Sequence, residues 1–184
     1  MKKIYFVTTN NYKFKKISLA LDIQDIVLVL LSEETPEIQA ANNQKVAAFS
    51  AEWAASKFNK PVIKEDVGLY IDALKGFPGP YLNQIEKWIE TDGFIKLMND
   101  KENRSAYWEY AISYCEPGQS PVTFYTHQKG KIVKEARGKN GWYADKIFIS
   151  EGQNRTIAEL RDEGKYIRNE NHYIKLKQYL QNLE

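Results

Sequence analysis

The sequence predicts an α/β fold: an elongated mixed β-sheet flanked by helices, with two lobes around a central cleft. Three observations carry this expectation. Up to residue 64, apolar runs alternate with helical segments in the order strand–helix–strand–helix–strand, which builds a mainly parallel sheet with covering helices. Residues 105–115 then alternate, with Ala106, Trp108, Tyr110, Ile112 and Tyr114 on one face. A Glu116-Pro117-Gly118-Gln119 turn and a strand-like run at 122–127 complete a hairpin. Finally, 184 residues with 43% hydrophobic content suffice for one well-buried domain and fall short of two, so 1–184 is read as a single domain.

Taken in order, Ile4-Tyr5-Phe6-Val7 is a continuous apolar run that stops in Thr8-Thr9-Asn10-Asn11. It reads as a buried strand ending in a polar turn. Residues 12–21 carry apolar side chains at Phe14, Ile17, Leu19 and Leu21 and are predicted helical. Residues 26–31 form a second buried strand. Residues 44–58 are Ala-rich and free of Gly and Pro, which favours a helix. Residues 61–64 give a short strand that ends at Glu65-Asp66, with a Gly- and Pro-rich turn after it. Residues 81–89 and 91–98 read as two short helices. Further strand pieces fall at 132–133 and 147–149, and a last helix spans about 169–183.

Composition narrows the function. A net charge of +2 is too small to point to nucleic acid or an anionic membrane surface. The longest apolar run, at 26–31, is far too short to span a bilayer. Cys115 is the only cysteine, so no internal disulfide is expected and a reducing, cytoplasmic setting is. Twelve Tyr and four Trp suggest core packing first, with residues 80–88 and the hairpin near Trp108 as possible interfaces.

Several constellations point to phosphate chemistry. Thr8-Thr9-Asn10-Asn11-Tyr12-Lys13 places small polar residues and a lysine where a strand enters a helix, a geometry that suits an anion. The alternative is a plain N-cap by Asn10 with Lys13 solvated. Pro36-Glu37-Ile38-Gln39 adds a carboxylate after the second strand. With Glu65-Asp66, it brings three carboxylates to the edge where open α/β sheets bind ligands. Carboxylates for magnesium and a lysine for phosphate oxygens suit a polyphosphate. Gly141-Trp142-Tyr143-Ala144-Asp145 pairs aromatics with an acid, either to stack on a base or as a packed turn. Lys165, near Arg161 and Arg168, is either a phosphate clamp or a solvated turn. His127 and His172 have no metal-ligand spacing to Cys115.

In these motifs the chain resembles the inosine triphosphate pyrophosphatase, or Ham1-like, family. Thr8 to Lys13 look like its Thr-Gly-Asn-x-x-Lys opening, and Pro36-Glu37-Ile38-Gln39 like its Pro-Glu-x-Gln segment. Glu65 to Leu69, followed by Asp72-Ala73-Leu74-Lys75-Gly76-Phe77-Pro78-Gly79-Pro80-Tyr81, is similar to its most distinctive block. Thr156-Ile157-Ala158-Glu159-Leu160, with Lys165 after it, resembles the segment before its C-terminal motif. The resemblance implies magnesium-dependent hydrolysis of a nucleoside triphosphate to monophosphate and pyrophosphate, usually by a homodimer. It implies metal binding or water activation by Glu37, Glu65 and Asp66, with Lys13 also in the catalytic set. Thr8, Thr9, Asn10, Lys13 and Lys165 would hold phosphates. Trp142, Asp145, Glu170 and Asn171 would meet the rest of the substrate.

The chain departs from the family at the base-reading end. Asn169-Glu170-Asn171 stands where Ser-His-Arg is usual, and an ionised carboxylate accepts hydrogen bonds without donating them. A keto oxygen is a poor partner for Glu170, and a base edge bearing N–H donors is a better one. His172 follows two residues later and could restore one donor. Thr9 replaces a glycine, Lys16 an acid, and Val67 a Ser or Thr. Tyr143-Ala144 replaces a glycine–aromatic pair. Three functions therefore stand side by side: a nucleoside triphosphate pyrophosphohydrolase with altered base preference, a nucleotide-binding or interaction protein without turnover, or a hydrolase of a different phosphate ester or cyclic nucleotide in the same metal cleft.

Overall fold

A computed structural model describes residues 1–183. They form β1 (Lys2–Val7), α1 (Asn11–Ala20), β2 (Ile26–Leu31), α2 (Asn43–Phe58), β3 (Val62–Ile71) and β4 (Pro78–Gly79). After these come α3 (Leu82–Leu97), β5 (Ser105–Cys115), β6 (Val122–Ile132), β7 (Phe148–Ser150), α4 (Ile157–Asp162) and α5 (Asn171–Gln181). The strands follow the order β2-β1-β3-β5-β6-β7, with β4 paired to β3. β1 runs parallel to β2 and β3, and β6–β7 is antiparallel, so the mixed sheet flanked by helices is as expected.

The chain divides into two compact units. The first comprises Met1–Asp66, Tyr110–Thr126 and Glu170 onward. Strand alternation sorts its core onto the two sheet faces. Ile4 and Phe6 of β1, Ile63 of β3 and Ile112 of β5 pack with Ile17 of α1 and Tyr173 and Leu176 of α5. On the other face, Val7, Val62 and Cys115 pack with Ala51, Ala54 and Ala55 of α2. Small alanines let that helix lie close to the sheet. Asn10 starts α1 by accepting from the backbone N–H of Tyr12 (3.0 Å) and Lys13 (3.1 Å). Asn42 starts α2 in the same way through Lys45 N–H, and α2 stops at Asn59 in the left-handed conformation.

The second unit comprises Val67–Glu109 and His127–Asn169. Phe94, Met98, Ile132, Phe148 and Ile157 are buried in it. Trp108 meets Phe148 edge-on, with centroids 6.0 Å apart, and only 5% of its surface is exposed. It is a core residue. Glu90 (φ 52°, ψ −166°) interrupts α3, which reproduces the two short helices read from the sequence.

Three expectations are corrected. β3 does not end at residue 64. It continues through Glu65-Asp66 to Ile71, because Leu69 and Tyr70 find a new antiparallel partner in Gly79 and Pro78. What does stop near the acid pair is the parallel partner, since the β1–β3 register covers Tyr5↔Val62 and Phe6↔Ile63. β6 likewise runs unbroken to Ile132. Gly130 is no breaker there: a Cβ on it would strike Ile149 O and the Phe148 ring, so glycine permits the approach of β7. Third, α4 was not anticipated, although Thr156-x-x-Glu159 is a capping box. Thr156 Oγ1 accepts from Glu159 N–H (3.1 Å), and Glu159 Oε2 accepts from Thr156 N–H (2.7 Å).

Candidate active site

The acid pair sits on a strand, so its two carboxylates point to opposite faces. Glu65 follows Ile63 onto the α1/α5 face. Its side chain is fully buried. Tyr173 Oη donates to Glu65 Oε1 (2.9 Å), and His172 Nε2 lies 3.1 Å from the same oxygen. The His172 ring stacks on Tyr110 at 5.5 Å. Lys13 approaches from α1, its Nζ 3.7 Å from Glu65 Oε2 and 3.5 Å from the Glu65 carbonyl. The strand-to-helix lysine thus meets Glu65 of the acid pair. His172, read earlier as a possible donor to a base, is buried against Glu65 instead.

Asp66 follows Val62 onto the α2 face. Asn43, the buried first residue of α2, donates Nδ2–H to Asp66 Oδ2 at 2.7 Å. Lys64 shares that face. Burial is the main cause that lowers its ammonium to about 8, and the charge of Lys13 adds to it, while Glu37, Asp66 and Glu65 oppose. Glu37 is exposed on a loop whose Pro36 carbonyl accepts from Ser50 of α2 at 3.0 Å. The expected metal set therefore divides, with Glu37 and Asp66 in the neighbourhood of Lys64 and Glu65 engaged on the other face. Among the described residues, no three His, Cys, Asp or Glu side chains stand together as a complete metal site. Magnesium asks less of the protein, one or two carboxylates with substrate phosphates and water completing the octahedron. The hard oxygen donors of Asp66 and Glu37 fit that requirement.

Thr8 and Asn10 shape the loop entering α1. Thr8 Oγ1 accepts from Asn10 N–H at 3.1 Å, and Thr9 is exposed. At the start of α5, Glu170 pairs with Lys16 of α1 at 3.5 Å. Asn171, exposed, is the first residue of the helix. Two departures noted separately in the sequence, Lys16 and Glu170, are thus partners in space.

In the second unit, a 3-10 turn at Tyr143–Lys146 presents Trp142, 45% exposed. Asp145 is buried and accepts from Trp142 N–H (3.0 Å) and Arg161 Nε (2.9 Å). Burial still raises its carboxyl above the ordinary value. Gly141, at φ +111°, is required here, because a Cβ would collide with the Asp145 carboxylate. Glu86 of α3 is buried beside Asp145. Desolvation, then the Asp145 charge, pushes it up to about 7. Lys165 is exposed and paired with Glu163 at 3.0 Å. Sequence reasoning missed Lys64, Asn43, Tyr173 and Glu86. Lys64 was within reach, since its spacing of two from Asp66 is the signature of a shared strand face.

Fold and side chains together define an α/β protein with a lysine–carboxylate cluster where its central parallel strands end, a chemistry matched to an anionic, metal-associated ligand. The Ham1 family model matches residues 4–169, and the chain belongs to the Ham1 family. The dITP/XTP pyrophosphatase of Methanopyrus kandleri is 40% identical over 163 residues, covering 89% of this chain and 87% of that protein. That of Methanosarcina mazei is 41% identical over 165 residues, covering 90% and 89%. Among solved structures, a HAM1 protein from Coxiella burnetii superposes with a TM-score of 0.84 at 25% identity, covering 99% of this chain and all of that one. The Staphylococcus aureus Ham1 protein gives 0.83 at 23% identity over the full length of both chains, which bears on the fold alone.

Proposed function

We propose that this protein is a nucleoside triphosphate pyrophosphohydrolase that splits its substrate between the α and β phosphates. The observation that carries the reading is the pair of contacts Lys13–Glu65 and Asn43–Asp66 on the two faces of β3, where its parallel partner β1 stops, in a Ham1-family chain. Water attacks the α phosphorus, the bridging bond to the β phosphate breaks, and monophosphate and pyrophosphate leave. Asp66, oriented by Asn43, accepts the water proton. Lys13, held by Glu65, and the Thr8-Thr9-Asn10 loop receive phosphate oxygens, and Lys165 adds a further cation. Asp66 and Glu37 would hold magnesium, which when bound would supply charge neutralisation. Catalysis of this kind is positioning plus electrostatics.

We further propose that base preference is altered. Trp142 stacks on the base, and Asp145 orders the turn that carries it. Asn169-Glu170-Asn171 favours base edges bearing N–H donors over the keto edge of hypoxanthine or xanthine. The protein is read as a cytoplasmic homodimer, with exposed Tyr81 and Trp88 as interface aromatics.

The test is pyrophosphate release from a panel of standard, deaminated and modified triphosphates, with and without EDTA, for wild type and Asp66→Asn. Activity abolished by EDTA and reduced at least ~100-fold by Asp66→Asn is expected. Inosine and xanthosine triphosphates as best substrates would overturn the base assignment. Absence of hydrolysis across the panel would overturn the enzyme assignment.

A further inference from the structure

Arg161 of α4, which sequence alone allows as a phosphate clamp, is committed to two protein partners. Its Nε donates to Asp145 Oδ2 at 2.9 Å, the same oxygen that accepts from Trp142 N–H at 3.0 Å. Its guanidinium carbon lies over the Tyr166 ring, 4.5 Å from the centroid. Asp145 closes the turn that presents Trp142, and Tyr166 belongs to the segment between Lys165 and Asn169. One guanidinium therefore touches both substrate-facing segments of the second unit. Gly141 permits the approach, since a Cβ there would lie 3.0 Å from Arg161 Cδ. The rest of α4 extends the grip. Asp162 accepts from Lys139 N–H (2.8 Å) and Asn140 N–H (2.9 Å). Thr156 Oγ1, at the start of the helix, donates to the Arg137 carbonyl (2.9 Å). The chain on either side of Trp142 is thus fixed at residues 137, 139, 140 and 145, while the indole itself stays 45% exposed. A ring mounted on backbone held in this way loses little further freedom when a flat ligand stacks on it.

We propose that Arg161 is a positioning residue for the nucleobase, setting the Trp142 turn and the Tyr166 segment in one preformed arrangement. This rests on the reading of Trp142 as the base-stacking aromatic and adds to it the residue that aims the ring. The ligand class is a nucleoside triphosphate. Arg161 does not contact the phosphate chain, and no covalent step is involved.

Isothermal titration of the full chain with magnesium tests this, using the α,β-methylene triphosphates of guanosine and inosine, whose scissile bridge resists hydrolysis, and inorganic tripolyphosphate. Arg161→Met should weaken the tighter-binding nucleotide about fivefold or more, as for a compromised stacking contact. It should leave tripolyphosphate within about twofold of wild type, because no charge-assisted phosphate contact is removed. Trp142→Ala should show the same split. Thermal melts confirm folding, and Arg161→Gln replaces Met if Met unfolds the chain. Equal losses for nucleotide and tripolyphosphate would overturn the proposal, because they mark a phosphate contact or a general structural support. Nucleotide affinity kept in Arg161→Met and lost in Trp142→Ala would also overturn it, with the base reading of Trp142 left standing. If Trp142→Ala binds nucleotide like wild type, or wild type binds neither nucleotide, that reading falls and the proposal falls with it.

Discussion

Glu86→Gln should make the protein more stable at alkaline pH and remove most of one pH dependence. Glu86 is 5% exposed and stands beside Asp145, also 5% exposed. Ala144 N–H donates to its carboxylate, while Oε2 is buried without a hydrogen-bond partner among the described residues. Its pKa is about 7 in the folded chain against an ordinary 4.5. Between those values the unfolded chain releases the proton and the folded chain keeps it. The unfolded state therefore binds fewer protons, and stability falls as pH rises from about 4.5 to about 7, then levels off. At about 1.4 kcal/mol per pH unit, the ionised side chain costs on the order of 3 kcal/mol at pH 8. Glutamine keeps the acceptor for Ala144 N–H and cannot ionise. Variant and wild type should agree to about 1 kcal/mol near pH 5 and diverge to about 3 kcal/mol near pH 8. For a chain of this length that is roughly 6–10 °C in melting temperature. Urea and thermal melts at several pH values measure it. A gap that does not change with pH, or a variant less stable at pH 8, would refute the reasoning.

Tyr173→Phe removes the 2.9 Å donor to Glu65 and should cost about 1.5–3 kcal/mol in urea unfolding, because the acceptor is a buried carboxylate. The Lys16–Glu170 pair, about one-third exposed at each end, should show a coupling of only about 0.2–1 kcal/mol in a double-mutant cycle with Lys16→Met and Glu170→Gln. A larger value would mean the pair is less solvated than its geometry implies.

The fold was legible because its elements repeat strong local signals. β2 (Ile26–Leu31) is a continuous apolar run and α2 (Asn43–Phe58) an uninterrupted helical one. Both end at recognisable polar residues. Residues 65–71 were misread because Gly68 and the later Gly-Pro cluster look like a turn, while the strand is held there by β4 (Pro78–Gly79), a long-range partner that no local pattern announces. The site was half legible. Lys13 and the acid pair could be placed together, since strand ends of one sheet share an edge. The partners of those residues could not, because Asn43, His172 and Tyr173 sit in helix segments whose local sequence speaks only for helix. Glu86 was invisible for a related reason: a single acid on a surface helix becomes buried only through tertiary packing.

Strand alternation gives the adjacent acids different work. Two neighbouring carboxylates read in sequence as joint metal-binding or water-activating groups, and on a continuing strand they face opposite sides of the sheet. Glu65 turns toward α1 and α5, where Tyr173, His172 and Lys13 surround it. Asp66 turns toward α2, where Asn43 fixes it beside Lys64 and Glu37. Asp66 is the partly exposed member of the pair, and Glu65 is buried and holds Lys13. The same helix α5 that supplies His172 and Tyr173 to Glu65 begins at Glu170, which is tied to Lys16 of α1. Glu170, at the start of α5, is thus tied to the helix that carries Lys13.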